Sequence, residues 1–138
     1  MVEKVDHIGI AVKSLDDSMD YYIHTLGLKL LGVEKVPQQH VTVAFLDAGN
    51  IKLELLEPIG TEGAIASFLE KRGEGVHHIA FGVSNIRERM EELNTNGVRL
   101  LQEEPKIGAG GAEVAFLHPK SSFGVLYELC AKRSLGDE

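Results

Sequence analysis

The stretch Val5-Asp6-His7-Ile8-Gly9-Ile10-Ala11-Val12 decides the fold, because the chain repeats it as Val76-His77-His78-Ile79-Ala80-Phe81-Gly82-Val83. The central histidines, His7 and His78, lie 71 positions apart. Both runs alternate with the two-residue period of a strand. His7, Gly9 and Ala11 share one face, with Ile8, Ile10 and Val12 opposite; His78, Ala80 and Gly82 share one face, with Ile79, Phe81 and Val83 opposite. The bulky face suits a packed helix. The small residues beside each histidine leave space around the imidazole.

Working outward, the two stretches carry matching neighbours. After the first, Ser14-Leu15-Asp16-Asp17 reads as a helix N-cap with acids in the first turn. Leu15, Met19, Tyr22, Ile23 and Leu26 recur at helical spacing, and Gly27 stops the helix. Strands are expected at 28–36, 41–47 and 51–56; on the last, Lys52, Glu54 and Leu56 share the face opposite Ile51, Leu53 and Leu55. After the second stretch, Ser84 or Asn85 caps a helix with Ile86, Met90 and Leu93 on its apolar side, and Gly97 ends it. Gly97-Val98-Arg99-Leu100-Leu101 then matches Gly27-Leu28-Lys29-Leu30-Leu31, Val114-Ala115-Phe116-Leu117-His118 matches Val43-Ala44-Phe45-Leu46-Asp47, and Tyr127-Glu128-Leu129 matches Leu53-Glu54-Leu55.

Matches that stay in register through four elements mark an internal duplication. The expected fold is α+β: two tandem βαβββ modules, about residues 4–58 and 75–131, forming a cupped, mostly antiparallel sheet around a metal site. A helix at about 61–72 links them, and residues 1–138 make one domain. The glycine-rich segment 104–113 precedes a strand instead of opening a helix, so it is not a dinucleotide-binding loop; it reads as a hairpin connection or a lid. The polar tail from Lys132 is expected to fray.

With 138 residues, 43% hydrophobic and 25% charged, the chain has the profile of a globular protein able to bury a core. Its formal net charge is -7 and it carries no basic stripe, which argues against a nucleic-acid partner. Cys130 is the single cysteine, so no intrachain disulfide forms, and it reads as a small buried apolar residue. No apolar run reaches membrane-spanning length, and Met1-Val2-Glu3-Lys4 opens no signal-peptide core. The expectation is a cytoplasmic protein with no membrane partner.

The duplication aligns His7 with His78 and Glu54 with Glu128. Taken singly, each has an ordinary structural reading: a hydrogen-bonded histidine, or an exposed glutamate on a half-buried strand. As a symmetric set of two imidazoles and two carboxylates they suit a divalent ion such as Co, Mn, Ni, Zn or Mg. A cation would also offset the cost of burying two carboxylates together. Among the other histidines, His77 faces away from His78, His24 reads as a surface residue, and His40 and His118 sit at strand ends where they could line a cavity mouth.

The motifs Asp6–Val12, Gly75–Phe81, Glu104–Gly111, His118-Pro119-Lys120-Ser121 and Gly124–Leu129 resemble those of the vicinal-oxygen-chelate superfamily, and within it the methylmalonyl-CoA epimerases. The likeness runs from about Val5 to Leu129. It implies a metal bound by His7, Glu54, His78 and Glu128, and an acyl-CoA substrate that carries a carboxylate on the α-carbon of its thioester. The implied reaction interconverts (2R)- and (2S)-methylmalonyl-CoA by removing the α-proton on one face and returning it on the other, through a metal-stabilised enolate. Glu128 is then the first acid/base group. The second is open, because some relatives carry a glutamate where this chain has Val43; Glu54, His40 and an ordered water are the alternatives. Relatives carry Glu or Gln at position 54, so Glu54 serves as ligand with or without a proton-transfer role. Gln39, His40, Lys106, Lys120 and Ser121 are the candidate substrate contacts, the lysines for CoA phosphates. Relatives of this fold often dimerise, which implies a homodimer.

Three other functions compete. A glyoxalase I uses a similar ligand set, but Gly32 stands where an arginine for glutathione is expected. An extradiol dioxygenase wants two histidines and one glutamate around iron, and Glu54 would occupy a position it needs open. A ligand-sequestering protein of the same fold would need no metal ligands.

Overall fold

A computed structural model describes residues 1–132. The chain divides into two units, His7–His77 and a second one made of Met1–Asp6 with the chain from His78 onward.

The first unit is organised by β1 (Lys4–Ala11), whose residues from His7 pair in parallel with β4 (Lys52–Pro58). β4 pairs antiparallel with β3 (Val41–Asp47), which pairs antiparallel with β2 (Lys29–Val36), giving the order β2-β3-β4-β1. The turn between β3 and β4 closes with Ala48 N–H on Ile51 O at 3.0 Å and Gly49 N–H on the Asp47 carboxylate at 2.7 Å. Ser14 caps α1 (Leu15–Met19), its hydroxyl accepting from Asp17 N–H at 3.1 Å. From Asp20 to Thr25 the helix widens into a π-turn. This wider winding departs from the expected regular spacing and leaves Leu26 half exposed. Val12, Leu15, Ala44, Leu46 and Leu55 are buried together, with Ile10, Met19, Tyr22, Ile23 and Leu53 packed around them. The assigned strand faces therefore hold: Leu53 and Leu55 face the helix, and Glu54 faces away. α2 (Ala64–Arg72) follows, with Ile65 buried and Phe68 edge-on to His77 at 5.1 Å.

In the second unit, β5 (Gly75–Gly82, within this unit from His78) runs parallel to β8 (Tyr127–Ala131), which is antiparallel to β7 (Glu113–Leu117). The edge strand β6 (Lys106–Ile107) completes the order β5-β8-β7-β6. α3 (Ile86–Thr95) packs Ile86 and Met90 against Val83, Ala115, Leu117 and Leu129. Asn85 stands at its N-cap position, but in a left-handed conformation and with no side-chain cap bond. Gly97, at φ 83°, ends the run as expected.

The largest difference from the expected duplication lies at residues 97–101. They form no full strand: Leu100 makes an isolated bridge to Leu117, with backbone bonds from Leu101 N to Phe116 O and from His118 N to Arg99 O. The Gln102 side chain takes the place of the next ladder bonds, donating to Val114 O at 3.1 Å and accepting from Phe116 N–H at 3.2 Å. Pairing resumes only at β6. The glycine-rich segment is thus a folded hairpin, closed by Gly108 N–H on Ala112 O at 2.8 Å. Cys130 is buried, as expected. Residues 133–138, most of the expected frayed tail, lie outside the described residues.

Candidate functional site

In the first unit the face away from the helix is built in rows, because residues paired across a ladder point the same way. His7 pairs with Lys52, Gly9 with Glu54 and Ala11 with Leu56. Glu54 in turn pairs with Phe45, and Leu56 with Val43. Along β1 the residues that follow His7 on this face are Gly9 and Ala11, so on that side nothing bulky on its own strand covers the imidazole. His7 and Glu54 are 4% and 6% exposed, with His7 Nδ1 3.3 Å from Glu54 Oε2.

The second unit repeats the arrangement. Ala80 pairs with Glu128 and Gly82 with Cys130. Phe116 pairs with Glu128, and Val114 with Cys130 and Lys106. His78 and Glu128 are each 6% exposed, and His78 Nε2 lies 3.5 Å from Glu128 Oε1. Phe116 holds the His78 ring edge-on at 5.6 Å. The two pairs meet through different ring nitrogens, Nδ1 in one and Nε2 in the other.

Each unit therefore buries one imidazole against one carboxylate. Burial of a carboxylate is costly unless a cation or several donors compensate it. The same atoms are ordinary ligands of first-row divalent ions, so each pair fits a metal.

The predicted substrate contacts fall outside these pairs. Gln39 ends a short helical turn, Pro37–Gln39, and His40 follows it in a left-handed conformation at φ 55°. Both are half-buried. Gly63 lies so close that a Cβ there would stand 2.9 Å from His40 Cβ, so only glycine fits without displacing the histidine. Lys106 is exposed on β6 and shares its row with Val114, on the face of His78 and Glu128. Lys120 is exposed in the turn Pro119–Ser122, its N–H donating to His118 Nδ1 at 3.1 Å. The Ser121 hydroxyl accepts from Arg99 N–H at 2.9 Å, tying that turn to the segment after α3.

Two acids escaped the sequence reading. Asp6 is buried, 3.7 Å from Lys4 Nζ and 3.9 Å from Cys130 Sγ. Glu34, half-buried on β2, pairs with Val43. The register of that hairpin, which depends on the turn at 37–40, is the signal that finds it.

Comparison with known proteins agrees with this architecture. Residues 6–116 match the model of the Glyoxalase/Bleomycin resistance protein/Dioxygenase superfamily. An ethylmalonyl-CoA/methylmalonyl-CoA epimerase of Cereibacter sphaeroides is 42% identical over 131 residues, covering 94% of this chain and 98% of that protein. The human mitochondrial methylmalonyl-CoA epimerase is 42% identical over 127 residues, 91% of this chain and 72% of its own. A solved methylmalonyl-CoA epimerase in complex with methylmalonyl-CoA and NH4+ superposes with a TM-score of 0.91 at 38% identity, covering 98% of each chain. Fold, paired rows and relatives converge: the chain belongs to the Glyoxalase/Bleomycin resistance protein/Dioxygenase superfamily and, within it, to the methylmalonyl-CoA epimerases.

Proposed function

We propose that this chain is a metal-dependent epimerase that interconverts (2R)- and (2S)-methylmalonyl-CoA. The observation that carries the reading is the buried His–Glu pair in each unit, His7 with Glu54 and His78 with Glu128, at equivalent places in the duplication. In this reading the four side chains hold one divalent ion through two imidazole nitrogens and two carboxylate oxygens, and both units act as one domain. When bound, such an ion supplies Lewis-acid withdrawal of the negative charge that gathers on the thioester oxygen as the α-proton leaves.

The remaining work falls to the protein. Glu128 accepts the α-proton from one face or returns it, at a carboxylate held by burial beside His78. Phe116 fixes the His78 ring and keeps water from that side. Lys106 and Lys120 meet the phosphates of the CoA moiety, which suits two exposed ammonium groups on an otherwise acidic chain. Gln39, His40 and Ser121 line the path of the acyl-CoA. The protein acts as a homodimer in the cytoplasm. Among the described residues no helix is long and apolar enough to cross a membrane.

The test is direct. Purified protein loaded with Co or Mn should convert either methylmalonyl-CoA epimer into the mixture. Turnover of the glutathione–methylglyoxal adduct in place of methylmalonyl-CoA would support a glyoxalase. Purified protein free of metal and inert on both substrates after metal addition would favour a sequestering role.

A further inference from the structure

Epimerisation needs one acid/base group on each face of the α-carbon. The duplication supplies ligands in equivalent pairs, but it gives no reason for a second proton carrier, and Val43 cannot be one. The β2–β3 ladder provides a carboxylate at that very row. Val36 pairs with Val41, Lys35 with Thr42 and Glu34 with Val43. Val43 pairs with Leu56, and Leu56 with Ala11. Glu34 therefore points to the same face as His7 and Glu54, one strand outward from Val43.

We infer that Glu34 is the second acid/base group of the reaction, taking the place of a carboxylate at position 43. The inference rests on the epimerase reading above. Glu34 and Glu54 sit on alternate strands and in adjacent rows of that face, their backbones roughly 12 Å apart. Glu54 itself is fully buried and engaged with His7, as a ligand should be. His40 is held in a left-handed turn against Gly63. Glu34 is only half-buried, so its carboxylate is reachable from outside the fold. The second unit offers no such group, because the place corresponding to Glu34, opposite Val114, is occupied by Lys106.

The step balances within the chain. The Glu34 carboxylate takes the α-proton of one epimer, and the C–H electron pair becomes the enolate double bond as the carbonyl pair moves onto oxygen. Protonated Glu128 returns a proton to the opposite face, and the carbonyl re-forms. A proton has then moved from Glu128 to Glu34, and the opposite epimer, or exchange with solvent, resets them.

The experiment incubates each epimer of methylmalonyl-CoA separately in heavy water with wild type, Glu34→Gln, and Glu34→Gln combined with Val43→Glu. Epimer ratio and α-deuterium are read in parallel. Glu34→Gln should epimerise about 10²–10⁴-fold more slowly, while one epimer, the substrate of Glu128, still gains deuterium with its configuration retained. The double variant, with a carboxylate restored one strand inward, should recover epimerisation. Wild-type-like epimerisation by Glu34→Gln, or equal loss of exchange from both epimers, would overturn the assignment. A wild-type protein inert on both epimers would instead remove the epimerase reading, and the assignment with it.

Discussion

The two units are copies that agree at their centres and differ at their edges. Both place a histidine on the first strand and a glutamate on the last, in neighbouring rows of one face. Both put small residues next to the histidine and a phenylalanine across from the glutamate, Phe45 and Phe116. The edge strands have diverged. In the first unit β2 is eight residues long and presents Glu34 opposite Val43. In the second, the same run shrinks to one bridge and the two-residue β6, which presents Lys106 opposite Val114. A symmetric ligand set is what an ion asks for. The edges differ in charge as well, a carboxylate on one and an ammonium on the other.

The sharpest way to break this comparison is to remove the glutamates one at a time. If the central pairs were interchangeable, Glu54→Gln and Glu128→Gln would behave alike. We expect Glu128→Gln to lower epimerisation about 10²–10⁴-fold through loss of proton transfer. Glu54→Gln, which leaves an oxygen ligand in place, should cost markedly less. Steady-state rates in heavy and light water with each variant decide the matter; equal losses would make the two glutamates equivalent.

A smaller effect probes the edges. Because the Gln102 amide stands in for ladder bonds to Val114 and Phe116, Gln102→Ala should destabilise the protein by about 1–2 kcal/mol. Denaturant melts measure it, and an unchanged midpoint would show that water replaces the amide without cost.

Much of this was legible in the sequence. Strict alternation in 5–12 and 76–83, and in-register matches through Val43–Asp47 and Val114–His118, gave the duplicated βαβββ order and the ligand candidates. Three things were hidden, each for a physical reason. The widening of the first helix at Asp20 is a change of winding that apolar spacing does not report. The missing strand at 97–101 depends on a side chain, Gln102, replacing backbone bonds to Val114 and Phe116, which no local propensity encodes. Glu34 was overlooked because its row depends on the turn that joins β2 to β3: a shift of one residue there would have sent it to the opposite face.

The central claim is that the two His–Glu pairs serve one ion. Elemental analysis of the purified, metal-loaded protein tests it most directly, alongside His7→Ala and His78→Ala. The account predicts one divalent ion per chain in the wild type, and loss of that ion, with loss of epimerase activity, in either single variant. Two ions per chain, or retention of the ion when one histidine is removed, would contradict it.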